Sequence, residues 1–322
     1  MKFGACYASL LQQGSLVIPK SKWELNLCLE DAEFYDIGTE PILTIGKGNF
    51  GTASSVLVPM EEIIAMPPQL PPTSTLQFLL FEYINVRSCH KLKRVLTFEL
   101  FTLLPNLNSI EVYDCEQTEE IIAMPPQLPA TSTLQFGLLT EIRVDICHKM
   151  KRVLTLELFM LLPKLQKITV MHCKQMKEVI GHGLENGGGA MVGNNTTGSL
   201  LLSPSESSAH QSRTRQLTLI LNGLEELESI CSWTGLRDLI HVIEIGDCPM
   251  LKRIEMLDGI IASPPPSLKE ITLRGDGDGE WWESLEWAYP EAKTALLPYV
   301  FIISGAGYGK IPIQEWRCSR QF

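Results

Sequence analysis

One short pattern recurs along this chain of 322 residues and constrains its fold more than any other feature. It begins with a large apolar residue. A second apolar residue follows three positions later and a third two positions after that, and the pattern closes three positions further on. Five copies close on cysteine and two weaker copies close on other polar residues, at Cys89, Cys115, Cys147, Cys173, Cys248, Asn222 and Asp276. In chain order these closing positions are 26, 32, 26, 49, 26 and 28 residues apart. A motif that returns at this period predicts a stack of structural repeats.

Each copy predicts one short strand followed by a buried turn. Ile84 and Val86 are two positions apart and therefore point to the same side, into the core. Tyr83, Asn85 and Arg87 then face solvent. The cysteine that follows the strand is small and readily buried, and in the turn it can satisfy backbone groups that are otherwise unpaired.

The stacked copies define the predicted fold class. One copy cannot bury its own apolar side, so neighbouring copies must cover each other. We predict an α/β fold, a curved leucine-rich repeat solenoid with parallel strands on the concave face and short helices and irregular segments on the convex face. Residues 96–104 before Pro105 and 154–162 before Pro163 have the spacing of short helices that proline ends. Residues 23–29 alternate like a strand that begins or caps the stack.

A duplication and two changes of composition divide the chain. Residues 62–78 and 120–136 differ only at Pro72 and Ala130, which indicates that a block of 58 residues was copied. A stretch rich in Gly, Ser and Asn predicts a flexible insertion within one repeat unit. The predicted organisation is an N-terminal non-repeat or degenerate cap region (1–61), duplicated repeats (62–180), the insertion (181–214), further repeats (215–276) and a Trp-rich C-terminal cap and tail (277–322).

Composition indicates which kind of partner to expect and in which cellular compartment the chain is located. The net charge is −10 and the isoelectric point about 5.2, so the chain lacks the basic footprint of a nucleic-acid-binding protein. The number of cysteines, nine, is odd. Five of them occur once per repeat unit, at the closing position, and their positions suggest no disulfide pairs. This usage favours a reducing compartment, and we expect a cytoplasmic protein. No stretch approaches the length of a membrane span.

The sequence contains no constellation that predicts catalysis, a cofactor or a metal. Residues 46–51 match G-x-G-x-x-G, but neither the kinase motifs nor a βαβ unit accompany them. Cys89-His90, Cys147-His148 and His172-Cys173 recur one per unit, so they line up along the stack instead of converging as zinc ligands must. We therefore expect no catalytic, cofactor-binding or metal-binding residue. The three tryptophans of residues 281–287 either anchor a partner or cover the end of the core.

The outward strand positions are the candidate partner-binding residues. They mix charged side chains with Tyr and Met, and their charge changes sign from unit to unit. Solenoids commonly bind partners on the concave face that such positions form. The candidates are Tyr83, Asn85, Arg87, Glu111, Tyr113, Glu141, Arg143, Asp145, Lys167, Met171, Glu244 and Arg274.

Several phrases that accompany the strand pattern resemble a known family. They are Leu-Lys-Arg-Val at 92–95, Leu-Leu-Pro-Asn-Leu at 103–107, Lys-Glu-Val-Ile at 177–180, Cys-Pro-Met-Leu-Lys at 248–252, Pro-Ser-Leu-Lys at 266–269 and Trp-Trp-Glu-Ser-Leu-Glu-Trp at 281–287. Together they resemble the C-terminal repeats of the plant intracellular nucleotide-binding leucine-rich repeat immune receptors, and the coiled-coil class is the most similar. The resemblance covers roughly residues 80–300.

This resemblance implies a protein-recognition role. The partner would be a pathogen effector, a guarded host protein that the effector modifies, or the receptor's own nucleotide-binding module. The sequence has no G-x-x-x-x-G-K-[ST] motif and no N-terminal coiled-coil region, so ATP binding is not expected. We expect the sensor half of such a receptor, as a fragment, a truncated product or an incomplete gene model. Residues 301–322 resemble neither a repeat nor the ending typical of the family.

Two other classes of leucine-rich repeat protein are alternatives to such a receptor. A leucine-rich repeat adaptor, such as the substrate receptor of a ubiquitin ligase, is the alternative, but residues 1–60 contain no convincing F-box-like helical segment. Extracellular plant receptors use a regular unit with an Asn turn and a Gly-x-Ile-Pro segment, and this sequence has neither.

Overall fold

The computed structural model describes strands at 24–28, 42–46 and 54–57, and residues 82–102, 104–125, 138–181, 215–258, 263–275, 277–303 and 309–319. The predicted insertion lies outside the described residues except for Gly181. Residues 62–78 and 126–137 and the closing residue Asp276 also lie outside them.

Short strands make up most of the regular structure. In chain order they are β1 (Glu24–Cys28), β2 (Ile42–Gly46), β3 (Ser54–Leu57), β4 (Tyr83–Arg87), β5 (Arg94–Thr97), β6 (Ser109–Tyr113), β7 (Glu120–Ala123), β8 (Glu141–Asp145), β9 (Leu154–Thr155), β10 (Lys167–Met171), β11 (Glu178–Gly181), β12 (Leu217–Asn222), β13 (Ser229–Cys231), β14 (Ile240–Gly246), β15 (Glu270–Arg274), β16 (Val300–Ile303) and β17 (Lys310–Pro312). The helices are α1 (Phe98–Thr102), α2 (Leu156–Met160), α3 (Asp278–Ser284), α4 (Pro290–Leu296) and α5 (Ile313–Ser319), with 3₁₀ turns at Thr234–Asp238, Glu255–Leu257 and Leu297–Tyr299.

The main sheet has 12 strands, in the order β17-β16-β15-β14-β12-β10-β8-β6-β4-β2-β1-β3. All neighbours from β4 to β16 are parallel, whereas β2 and β17 flank them antiparallel. Equivalent residues of successive units are register partners: Ile84 pairs with Ile110, and Ile110 with Ile142. The chain is therefore an α/β protein with a mostly parallel sheet, and this arrangement is compatible with a repeat solenoid.

The units from β4 to β12 each add a second short strand after their main-sheet strand, and these strands form a second layer. It consists of a parallel pair, β5-β7, and a parallel group of three, β9-β11-β13. Helices α1 and α2 lie inside the two segments that were predicted to be helical, and the strand predicted in 23–29 is β1. The second strands were not predicted, because each contributes at most four residues and so shows no readable period.

The cysteines close the turns in the predicted way. The thiols of Cys89, Cys115, Cys147, Cys173 and Cys248 each donate to the carbonyl oxygen two residues earlier, at 3.3, 3.3, 3.5, 3.2 and 3.3 Å respectively. All five are buried. Burial raises the pKa of the Cys115 and Cys173 thiols well above the ordinary value, so they stay protonated and keep donating.

One predicted repeat has its frame shifted by two residues. Asn222 was predicted to close the turn, but it is the last residue of β12. Leu224 occupies the closing position: it is fully buried, and its carbonyl accepts from Leu227 as the Cys173 carbonyl accepts from Met176. Three alternating leucines, at 217, 219 and 221, allow two frames, and only the register with β10 selects between them.

The repeat pattern also extends further than predicted. Strand β16 lies within residues that were expected to match no repeat, yet it pairs in parallel with β15, placing Val300 beside Ile271. Leu297, Val300 and Ile302 have the apolar spacing of the other copies, but Gly305 stands at the closing position in place of a cysteine.

The tryptophan-rich segment packs on the core. Trp282 is fully buried and lies edge-on to Trp287, with 5.5 Å between ring centroids. The Trp281 indole donates to the Leu251 carbonyl at 3.1 Å. Of the two interpretations left open by the sequence, this packing favours a cover for the core over an exposed partner anchor.

Candidate recognition surface of the main sheet

The outward face of the main sheet is formed by the strand residues that alternate with the core positions. Because the strands are in register, these residues form rows that run across the units. One row contains Asn85, Glu111, Arg143 and Thr169, and the next contains Arg87, Tyr113, Asp145 and Met171. The twelve candidate residues thus occupy one side of one sheet.

The candidates differ in how much surface they offer. Arg87, Tyr113, Arg143 and Arg274 are exposed, and Tyr83, Glu111, Glu141, Lys167, Met171 and Glu244 are partly buried. Asn85 and Asp145, which were predicted to face solvent, are buried, with 6% and 7% of their surface exposed. Alternation gives the direction of a side chain, but its exposure depends on neighbours in adjacent units, and those neighbours cover both residues.

Asn85 connects two charged candidates. Its carbonyl oxygen accepts from Arg87 Nε at 3.0 Å, and its Nδ2 donates to Glu111 Oε2 at 3.4 Å. The arrangement orients an exposed cation and a partly buried anion on neighbouring strands. Asn85 is therefore a positioning residue for this part of the face.

Asp145 forms a hydrogen bond with His172, a residue that was not among the predicted candidates. His172 Nδ1 lies 3.0 Å from Asp145 Oδ1, and the imidazole rests above Gly223 of the next unit. A Cβ atom at Gly223 would lie 2.8 Å from His172 Cδ2, and the φ of 64° there also favours glycine. His172 precedes a closing cysteine, and its positive φ marks a turn position that sequence patterns do not distinguish from a strand end.

Ion pairs neutralise much of the remaining charge on this face. Lys167 Nζ lies 2.7 Å from Glu141 Oε1, its register partner on β8. Arg274 pairs with Glu244, and Lys310 of β17 pairs with Glu270. The first two pairs join neighbouring strands, and the third reaches across β16. Each is partly exposed, so each contributes modestly, on the order of 0–1 kcal/mol.

A shallow groove of about 520 Å³ follows the turns at the carboxyl ends of the strands. Its lining includes His148, His172, Lys174, Glu225 and Trp281. Both signs of charge meet there, so the groove does not favour one charged class of ligand. The groove was not predicted, because its residues come from the turns of five successive units.

The described residues contain neither a cluster of metal ligands nor a membrane-spanning helix. Within those ranges no three His, Cys, Asp or Glu side chains converge as a metal site. None of the described helices has both the length and the apolar character needed to cross a membrane.

Comparison with known proteins gives one informative similarity. No protein-family model matches the chain. A disease resistance protein of Arabidopsis thaliana is 25% identical over 204 residues, which is 62% of this chain and 17% of that protein. The chain therefore corresponds to a small part of its relative's length.

Proposed function

We propose that this chain is a leucine-rich repeat solenoid that serves as a non-enzymatic protein-recognition module in plant disease resistance. The observation that carries the proposal is the outward face itself: varied side chains on parallel strands held in register across stacked units. Similarity to a plant disease resistance protein supports the biological setting.

The face is suited to recognition because it is organised before a partner arrives. Asn85 fixes the positions of Arg87 and Glu111, and the Lys167–Glu141 pair bridges β8 and β10. Side chains that are already ordered lose less conformational entropy on binding. Large rings and guanidinium groups such as Tyr113 and Arg143 are typical of the residues that dominate binding energy.

Recognition would act through differential binding. A pathogen effector or a guarded host protein that prefers the face in one state of a larger receptor shifts that receptor towards the state it prefers. A nucleotide-binding module held inactive against the same face is the corresponding autoinhibited state. We place the module in the cytoplasm, which is supported by the free thiols of its described cysteines.

The proposal is tested by photo-crosslinking in leaf extract. A photoreactive residue at Ser109 probes the outward face, and one at Lys164, which is exposed and follows α2, is the matched control. We expect the photoreactive residue at position 109 to crosslink a protein that the one at position 164 does not crosslink. Combined substitution of Arg87, Tyr113 and Arg143 by Ala should abolish that crosslink in a variant that keeps its circular dichroism spectrum. Equal crosslinking in the folded triple variant would contradict recognition by this face.

A further inference from the structure

The outward face carries one cation that differs from its neighbours. Lys167, Arg274 and Lys310 each pair with a carboxylate of the same face, and Arg87 donates to Asn85. Arg143 is exposed, and within the described residues its guanidinium makes no hydrogen bond or ion pair. Among the described residues, Arg143 is therefore a positive group whose donors are all free for an external partner, whereas Arg87, which is also not neutralised by an acid, already donates Nε to Asn85.

The acids that adjoin Arg143 on the face are engaged elsewhere: Glu141, two residues earlier on β8, pairs with Lys167 at 2.7 Å. Glu111, the register partner of Arg143 on β6, accepts from Asn85 on its far side at 3.4 Å. Asp145 follows two residues later on the same strand, is bound to His172 at 3.0 Å, and exposes only 10% of its side chain. All three carboxylates thus help to shape the surroundings of Arg143 without a hydrogen bond or ion pair to it in this structure.

Two apolar side chains frame the cation. Tyr113 and Met171 are the register partners of Asp145 on its two sides, so they flank the strand that carries Arg143. Tyr113 is 42% exposed, and Met171 is partly exposed. Tyr, Met and Arg are enriched in the buried centres of protein interfaces, where surrounding apolar contact excludes water from a polar anchor.

We propose that Arg143, framed by Tyr113 and Met171, anchors a carboxylate side chain of the protein partner. The inference rests on the proposed function and specifies the partner's chemistry: an Asp or Glu with a bulky apolar residue close to it in the docked segment. The planar guanidinium binds a carboxylate through two parallel hydrogen bonds, a geometry that lysine cannot supply. Glu111, the register partner of Arg143, repels an incoming carboxylate, so Glu111 lowers the affinity.

Selection from a phage-displayed library of random peptides on the purified full chain tests the proposal. We expect enriched peptides to share an Asp or Glu near an aromatic or aliphatic residue. Their affinity should fall about tenfold or more for Arg143→Ala, which is the usual size of losing a charge-assisted contact. Lys164→Ala is the matched control, because it removes an exposed cation that lies outside the outward face, after α2. Its effect should be smaller than twofold.

Two further variants sharpen the result. Arg143→Glu should redirect selection towards Lys and Arg, and Glu111→Gln should strengthen the binding of acidic peptides by removing a carboxylate that repels them. Two outcomes would overturn the anchor and leave the proposed function standing. The enriched peptides could protect the outward face from hydrogen exchange but lack an acid, or they could bind Arg143→Glu as tightly as the wild type. Peptides that all bind other surfaces would contradict both.

Discussion

The residue that follows each of β4, β6, β8, β10, β12 and β14 has a left-handed backbone, and Ile146 is the least suited of these residues to it. Its φ is 55°, a value that a β-branched side chain adopts rarely. Equivalent turns use Ser88, Asp114, Asp247 and Gly223, which are smaller or can bond locally. The third unit therefore retains local strain that its neighbours avoid.

We predict that Ile146→Asn stabilises the protein by about 1 kcal/mol, because asparagine tolerates the left-handed region better. The midpoint of urea unfolding should rise. Ser88→Asn at the equivalent turn is the control and should leave the midpoint almost unchanged. A lower midpoint for Ile146→Asn would mean that the partly buried Ile146 side chain contributes more through packing than its backbone costs.

A single carboxylate also fixes the segment that covers the core. The side chain of Asp258 is fully buried; it accepts from Arg253 at 2.8 Å and from the backbone amides of Ala288 and Tyr289 at 2.7 and 3.1 Å. Tyr289 is the residue before α4, so this carboxylate ties the start of that helix to the preceding repeat unit.

Asp258→Ala should lower the free energy of unfolding by about 3 kcal/mol, because it leaves Arg253 and two backbone amides without their acceptor. Thermal unfolding followed by circular dichroism measures the change. Asp238→Ala removes an exposed acid with only a 4.0 Å contact to Arg237, and it should have little effect. Equal melting temperatures for the two variants would show that Asp258 does not stabilise the C-terminal region.

At the scale of elements, β17 is attached to the main sheet partly by charge. Lys310 of β17 pairs with Glu270 of β15. Partial burial pushes the pKa of Glu270 upwards, but hydrogen bonds from Lys310 and Thr272 outweigh it and leave the pKa below the ordinary value. The ionised form is thus favoured by folding, and its stabilisation is present at neutral pH and lost as the pH falls through the lowered pKa.

Hydrogen exchange at β17 should therefore depend on pH through Glu270. We expect Glu270→Gln to lower the protection factors of the β17 amides at pH 7, and to have little effect at a pH below the lowered pKa, where Glu270 itself is protonated. Glu315→Gln on α5 is the control for charge alone. Equal protection of wild type and Glu270→Gln at pH 7 would contradict the role of the pair.

The elements also show what the sequence can and cannot predict. The strands around Ile84 and Ile142 were predictable because two inward residues and a closing cysteine fix their frame. The frame of β12 was not, since Leu217, Leu219 and Leu221 alternate without a break. Exposure on the outward face was less predictable still: Asn85 and Asp145 are covered by residues of neighbouring units, which one strand's sequence does not contain.

At the scale of the whole molecule, the closing cysteines report on the integrity of the stack. Cys89, Cys115, Cys147, Cys173 and Cys248 are buried, whereas Cys318 on α5 is exposed. Each unit covers the next, so opening one unit exposes its neighbours.

Alkylation with iodoacetamide, located by mass spectrometry, should label Cys318 in the native protein and spare the five closing cysteines. In increasing urea, Cys115 and Cys147 should become reactive together, because their units are in direct register. Labelling of either one alone in native buffer would contradict the stacked arrangement.

The central claim is that the outward face of the main sheet binds a protein. Hydrogen exchange of the full chain, with and without the protein captured by crosslinking at Ser109, tests it most directly. We predict that protection on binding is confined to β4, β6, β8 and β10 and the turns that follow them. Protection confined to α1, α2 and the second layer of strands would contradict it.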